Sequence, residues 1–273
     1  MAAPIFSRLR LVTGDTTLDA LNSTEVIVFG VGGVGSWCAE ALVRSGIHRI
    51  SLVDSDVICI TNVNRQLQAT TKNVGKSKVN ELRDRLLEIN PKAEINAIHS
   101  VYDESTKENF DLNQYDYVID AIDSLTPKVD LIQTAMESSA TLYSSMGAGN
   151  KIDPTRIQKS SIWKTEVCGL SRAVRKKLRR SDFKGDFEVV YSDELIPPVE
   201  HTSAKDGSHV CFCPKFVRED DTGEMHAHDW CDTKAEINGS VAHITTIFGN
   251  FLAGMVIQDV YHKVREMESQ IAG

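Results

Sequence analysis

An α/β fold with a doubly wound, mostly parallel sheet is predicted by two observations. Short β-rich runs alternate with helical patterns over the first half of the chain, which is the βαβ rhythm of a parallel sheet. The first and fourth of those runs, EVIVFG and YDYVID, are mostly apolar throughout, as strands covered on both faces should be. In chain order, a helical N-terminal segment precedes strands expected near 25–30, 49–53, 94–99, 116–120 and 141–145, with helices near 34–45, 75–89 and 126–138. From Gly147 to about Glu236 the rhythm breaks around Pro154, Pro197, Pro198 and Pro214, and an irregular lobe of strands and loops is expected there. The stretch NGSVAHITTIFGNFLAGMVIQDVYHKVREME, starting at Asn238, is helical again and apolar enough to be a core helix on the sheet. One domain, 1–273, is therefore expected in three parts: 1–146, an irregular lobe 147–236, and a final helical segment 237–266.

The bulk numbers narrow the function classes. At 273 residues and 41% apolar content the chain can bury a sizeable core. A formal net charge of −8 argues against a protein that coats nucleic acid, though not against a local basic patch. No run approaches the length of a membrane span, and the start, MAAPIFSRLR, lacks the apolar stretch of a signal peptide. The six cysteines are scattered, which suits free thiols in a reducing compartment. A cytoplasmic protein without a membrane partner is expected, with Cys38 and Cys59 as small buried residues and His243 as a satisfied core histidine.

Gly30-x-Gly32-x-x-Gly35, with Gly33 inside it, follows a predicted strand and opens a predicted helix. In that context the glycines let the backbone approach a phosphate, and the helix N-terminus supplies unpaired N–H groups. The second strand ends at Asp54, placed to accept hydrogen bonds from a ribose in a Rossmann-like fold. Taken alone, these features suggest a nicotinamide dehydrogenase. The next stretch, DSDVICITNVNRQLQATTKNVGKSKV, overturns that reading by adding Asp56, Asn62, Arg65 and Lys78. A guanidinium and an ammonium converging on the loop would neutralise a triphosphate and stabilise a pyrophosphate leaving group. In VIDAIDS, Asp123 is the better candidate for Mg²⁺, because Asp120 is also placed to cap the following turn.

The ordered strings GVGGVGSW, DSD, NVNRQ, VGKSK and DAIDS resemble the ThiF/MoeB/ubiquitin-activating superfamily of ATP-dependent adenylating enzymes. The resemblance implies ATP at Gly30, Gly32, Gly33, Gly35, Asp54, Asp56, Asn62, Arg65 and Lys78, and Mg²⁺ at Asp123. It implies Arg65, Lys78 and Asp123 as the catalytic set, joined by Arg8 in FSRLRL, which resembles an arginine that reaches the partner subunit's triphosphate in a homodimer. Zinc-bearing branches carry two Cys-x-x-Cys pairs, and this chain has none, so zinc is not expected, while room is left for a monovalent cation. Cys168 has no neighbour in sequence that would activate its thiol, which disfavours thioester chemistry on a carrier protein.

Within the superfamily, residues 6 to 165, the final helix and above all GAGNKIDPTRIQ resemble the tRNA threonylcarbamoyladenosine dehydratases. That branch activates the carboxylate of the modified adenosine as an acyl-adenylate. The modification's own ureido nitrogen then closes a ring and releases AMP. Arg172, Arg175, Lys176, Lys177, Arg179 and Arg180, in RAVRKKLRR, form a cationic run without an acid and are the expected tRNA-binding residues. A sulfur-transfer protein is a further partner implied by the resemblance. Two other readings stand beside this one: adenylation of the C-terminus of a ubiquitin-like sulfur carrier, and a non-catalytic nucleotide-bound adaptor for sulfur transfer. Cys211, Cys213, His226, His228 and Cys231 fit the resemblance poorly and lack a standard zinc spacing; two readings stand for them, a shared soft or borderline metal and an irregular lobe with unpaired thiols.

Overall fold

A computed structural model describes residues 4–196, 218–219, 225–226 and 239–272. Helices α1 (Ser7–Thr13) and α2 (Asp15–Ser23) precede strand β1 (Glu25–Phe29). Then follow α3 (Gly35–Arg44), β2 (Arg49–Val53), α4 (Lys78–Ile89), β3 (Glu94–Ile98), β4 (Tyr117–Asp120), α5 (Leu125–Glu137) and β5 (Thr141–Ser145). The boundaries lie close to those read from the sequence. Helix α4 starts later than expected because Gly75, at φ 89°, belongs to a turn whose N–H donates to Ile58 O at 2.8 Å.

After β5 come β6 (Ile157–Ser161), α6 (Gly169–Arg180) and β7 (Glu188–Ser192), and the main sheet has the order β3-β2-β1-β4-β5-β7-β6. Every pairing is parallel except that of β6 with β7. Each central strand faces two cores. Val26 and Val28 of β1 join one cluster with α3, α4 and the last helix, whereas Ile27 and Phe29 join the other with α5 and α6. This alternation explains why the strand reads as continuously apolar. Since β1 is followed by β2 on one side and β4 lies on the other, the loops leaving their carboxyl ends part and open a crevice, the usual ligand position in such sheets.

Part of the stretch expected to be irregular is regular. Strand β6, helix α6 and strand β7 extend the sheet by two strands and cover it with a helix. Strand β6 escapes a pattern reading because it has a single buried residue, Ile157, and, unlike the edge strand β3, pairs antiparallel outside the alternation of strand and helix. Beyond it, Arg218–Glu219 pairs antiparallel with Met225–His226. The last helix, α7 (Ala242–Ala272), runs beyond the expected end at 266 and packs on α3 and α2 through a ridge of Ile244, Phe248, Leu252, Val256 and Val260. Among the described residues no helix is long and apolar enough to cross a membrane.

Candidate nucleotide site

The glycine loop is shaped by close packing. Gly30 has φ 83°, and a methyl group there would stand 2.8 Å from Ala121 O. At Gly35 it would stand 1.9 Å from Gly30 O, so any larger residue at either position would have to displace the loop. No side chain caps α3; Ser36 N donates to Gly32 O at 3.2 Å and Cys38 N to Val34 O at 3.0 Å, and the positive end of the helix faces the loop. Asp54 fixes the loop from the next strand: its carboxylate accepts from Val31 N at 2.9 Å and Asp56 N at 2.8 Å. Burial raises the Asp54 pKa, an effect opposed by the neighbouring Lys78 ammonium. Each carboxylate oxygen retains a further acceptor position for a ribose hydroxyl.

Lys78 is the first residue of α4 and only 5% exposed, not a solvated helix residue. Its ammonium donates to Asp56 at 2.6 Å. Burial works against the charge, but Asp54 and Asp56 outweigh it, and the pKa lies above that of an ordinary lysine. Arg65 is half-buried, its guanidinium donating to Thr61 O at 2.8 Å and to Asn64 Oδ1 at 3.0 Å. Burial lowers its pKa, against the pull of Asp123. Exposed Asp123 thus lies within electrostatic reach of both cations. Asn62 is buried, and its carbonyl accepts from Cys59 N at 2.9 Å, so its amide donors are the part that a phosphate would take.

Several contributors have no role assigned from the sequence, although Asn64, Gln66 and Asn150 lie within the strings NVNRQ and GAGNKIDPTRIQ. Gln68 donates to Val31 O at 2.8 Å. Gln66 is buried with its Nε2 3.7 Å from where a methyl on Gly32 would lie. Thr245, on the first turn of α7, is 3.1 Å from a methyl placed on Gly33, and the stem of Arg65 is 3.4 Å from it. Asn64 Nδ2 donates to Ser240 O at 2.9 Å, and Asn150 N donates to Gly239 O at 2.8 Å. Glu194, on the segment after β7, accepts from Ile152 N at 2.8 Å and Asp153 N at 3.0 Å, which fixes the GAGNKIDP loop at the same edge of the sheet.

The structure therefore gathers the four glycines, Asp54, Asp56, Asn62, Arg65, Lys78 and Asp123 at the carboxyl edge. It does not bring Arg8 to them: Arg8 is exposed on α1 and forms no ion pair with a described residue. Three expectations are corrected. His243 is exposed, its Nε2 hydrogen-bonded to Ile152 O at 2.9 Å, because it lies on the outward side of the first turn of α7, whose buried residues are Ile244 and Thr245. Cys59 is half-buried beside Thr61, while Cys38 is buried and its thiol pKa pushed up by desolvation. Arg175 turns inward to donate to Ile162 O at 3.3 Å and to Thr165 Oγ1, so it is not a free cation.

The other cations of α6 divide. Lys177 donates to Thr126 Oγ1 at 2.8 Å, and the Arg179 guanidinium lies 5.4 Å from the Trp163 ring centroid. Arg172, Lys176, Arg179 and Arg180 are exposed. Both ends of α6 touch segments leaving the carboxyl ends of strands: Cys168 and Leu170 lie beside Gly147, after β5, and Lys177 beside Thr126, after β4. Cys211, Cys213, His228 and Cys231 lie outside the described residues, and of His226 only the backbone is described. Among the described residues no group of three His, Cys, Asp or Glu stands ready to hold a metal.

Residues 6–271 match the ThiF family over almost the whole chain. The chain belongs to the ThiF family. Within it, the chain is 40% identical over 256 residues to the tRNA threonylcarbamoyladenosine dehydratase of Bacillus subtilis (strain 168), covering 93% of this chain and 94% of that one. It is 40% identical over 260 residues to the Haemophilus influenzae protein of the same name, covering 93% and 92%. Among solved structures, Escherichia coli tRNA N6-threonylcarbamoyladenosine dehydratase in complex with AMP superposes with a TM-score of 0.76. That match has 28% identity and covers 97% of this chain and 95% of that one. The same E. coli protein in complex with ATP gives 0.73.

Proposed function

We propose that this ThiF-family chain is an ATP-dependent tRNA threonylcarbamoyladenosine dehydratase. The observation that carries the reading is the convergence of Arg65, Lys78 and Asp123 on a glycine loop whose helix lacks a capping side chain. A nicotinamide site has little need for that charge. The substrate carboxylate attacks the α-phosphorus of ATP, the bond to the β-phosphate breaks, and pyrophosphate leaves against Arg65 and Lys78. The substrate's ureido nitrogen then attacks the activated carbonyl carbon and AMP departs. The nucleophile belongs to the substrate, so the protein supplies proximity and charge stabilisation. Mg²⁺ suits Asp123, because this ion binds through one or two carboxylates together with phosphates and retained waters.

The named relatives favour this reading over carrier-protein adenylation and over an inert adaptor. With purified protein, ATP consumption is expected only in the presence of tRNA bearing threonylcarbamoyladenosine. Nucleoside analysis of tRNA from cells lacking the gene is expected to show the uncyclised form alone. Turnover driven by a carrier protein's C-terminus, or ATP binding without turnover, would refute the assignment.

We further infer a homodimer in which Arg8 acts across the interface. Its exposed helix also presents Leu11, 84% exposed, and Val12, 80% exposed, an apolar pair suited to burial against a second copy. Mixing Arg8→Ala subunits with Lys78→Ala subunits is expected to restore part of the activity that each lacks. A fully active monomer in sedimentation would exclude sharing in trans.

A further inference from the structure

Asp120 and Lys128 are fully buried, and their carboxylate and ammonium meet at 2.7 Å beneath the turn between β4 and α5. Taking two charges out of water costs more than burying an apolar pair of the same volume, so stability alone is a poor explanation for them. Their other contacts point to the turn itself. Asp120 Oδ2 also accepts from Ser144 Oγ of β5 at 2.6 Å, and Oδ1 accepts from Ile122 N at 3.1 Å. Lys128 Nζ donates to Ile122 O at 2.9 Å. One ion pair thus holds both backbone polar groups of the residue directly before Asp123. The opposite side of the turn is pressed against the glycine loop at Ala121.

We propose that Lys128 is a positioning residue for the reaction: with Asp120 it locks the Ile122 peptide groups, so that the Asp123 carboxylate is presented to Mg²⁺ and the phosphates. The proposal rests on the reading of Asp123 given above. An apolar residue at 128 would fill the same space but could not hold the Ile122 carbonyl.

The test compares Lys128→Met, which strands the Asp120 charge, with Lys128→Met/Asp120→Asn, which removes both charges and keeps an acceptor for Ser144. The double variant is expected to recover most of the thermal midpoint lost by the single one. Its turnover should nevertheless stay down by roughly 10- to 100-fold, the scale of a misplaced catalytic group, with a raised half-saturating Mg²⁺ concentration. In an Asp123→Ala background the same pair of substitutions should lower turnover by less than about twofold, because groups that act through one another are not additive. A stable double variant with wild-type turnover and Mg²⁺ requirement overturns the proposal, as do losses that multiply with that of Asp123→Ala. An unchanged Mg²⁺ requirement in Asp123→Ala alone would instead refute the assignment of Asp123, and the proposal with it.

Discussion

Lys78→Ala is expected to slow the release of pyrophosphate from ATP by roughly 10²-fold or more, the loss typical of removing a dedicated electrostatic donor. The substitution also bears on the fold. Lys78 is buried and bonded to Asp56, which remains half in solvent. Its stability cost therefore falls between the roughly 1 kcal/mol of an exposed pair and the roughly 3–5 kcal/mol of breaking a buried one. Arg65→Ala and Asp123→Ala, at more exposed positions, separate the two effects: similar losses of turnover are expected with little change in thermal midpoint. Rapid-quench measurement of pyrophosphate decides the matter, and near-wild-type rates in all three variants would defeat the electrostatic assignment. The raised pKa of Lys78 fixes the sign of its pH dependence. Its stabilisation is fully present below the ordinary lysine value of roughly 10.4 and is lost only as pH climbs through the higher folded value. An activity limb between neutrality and pH 9 must then belong to another group.

Reversing Arg172, Lys176 and Arg180 to glutamate is expected to weaken tRNA binding by roughly 10²-fold at 0.15 M salt and to flatten its salt dependence by about two to three units of slope, since each neutralised phosphate releases counterions. These three are chosen because they are exposed. Arg175, Lys177 and Arg179 are engaged with Ile162 and Thr165, Thr126, and Trp163 respectively, so changing them would disturb the seating of α6 as well as its charge. ATP binding should persist in the triple variant. Unchanged tRNA affinity and slope would make α6 a solvated face.

The sheet up to β5 was legible because β1, β2, β4 and β5 are strands buried on both sides, and the helices alternating with them marked the place of β3, an edge strand with no buried residue. What escaped was the extension by β7 and β6: IQKSS is an edge strand with half-exposed residues, and GLSRAVRKKLRR buries only Ser171, Val174 and Leu178 beneath its cations. The residues of the proposed phosphate cradle could be picked out from glycine spacing and the charges behind it, because they lie close together in sequence. The supports of the cradle are not local. Lys128 looks like any helix lysine until β4 and β5 place Asp120 and Ser144 against it. Thr245 has no meaning until α7 is laid across the loop. The expectation for His243 fails for the same reason, since only the packed helix shows that Ile244 and Thr245, and not His243, face inward on its first turn.

The meeting of α7 with the glycine loop also bears on synthesis. Gly33 belongs to an early segment, but the wall behind it is Thr245, and Asn64 and Asn150 are tied to Ser240 and Gly239. A chain still emerging from the ribosome can pair β1 with β2 and β4, yet α3 then shows its apolar flank to water until α7 arrives to cover it. The proposed nucleotide site is consequently complete only in the finished chain. A nascent or prematurely terminated copy would have the loop without its back wall and an exposed greasy surface for chaperones to recognise.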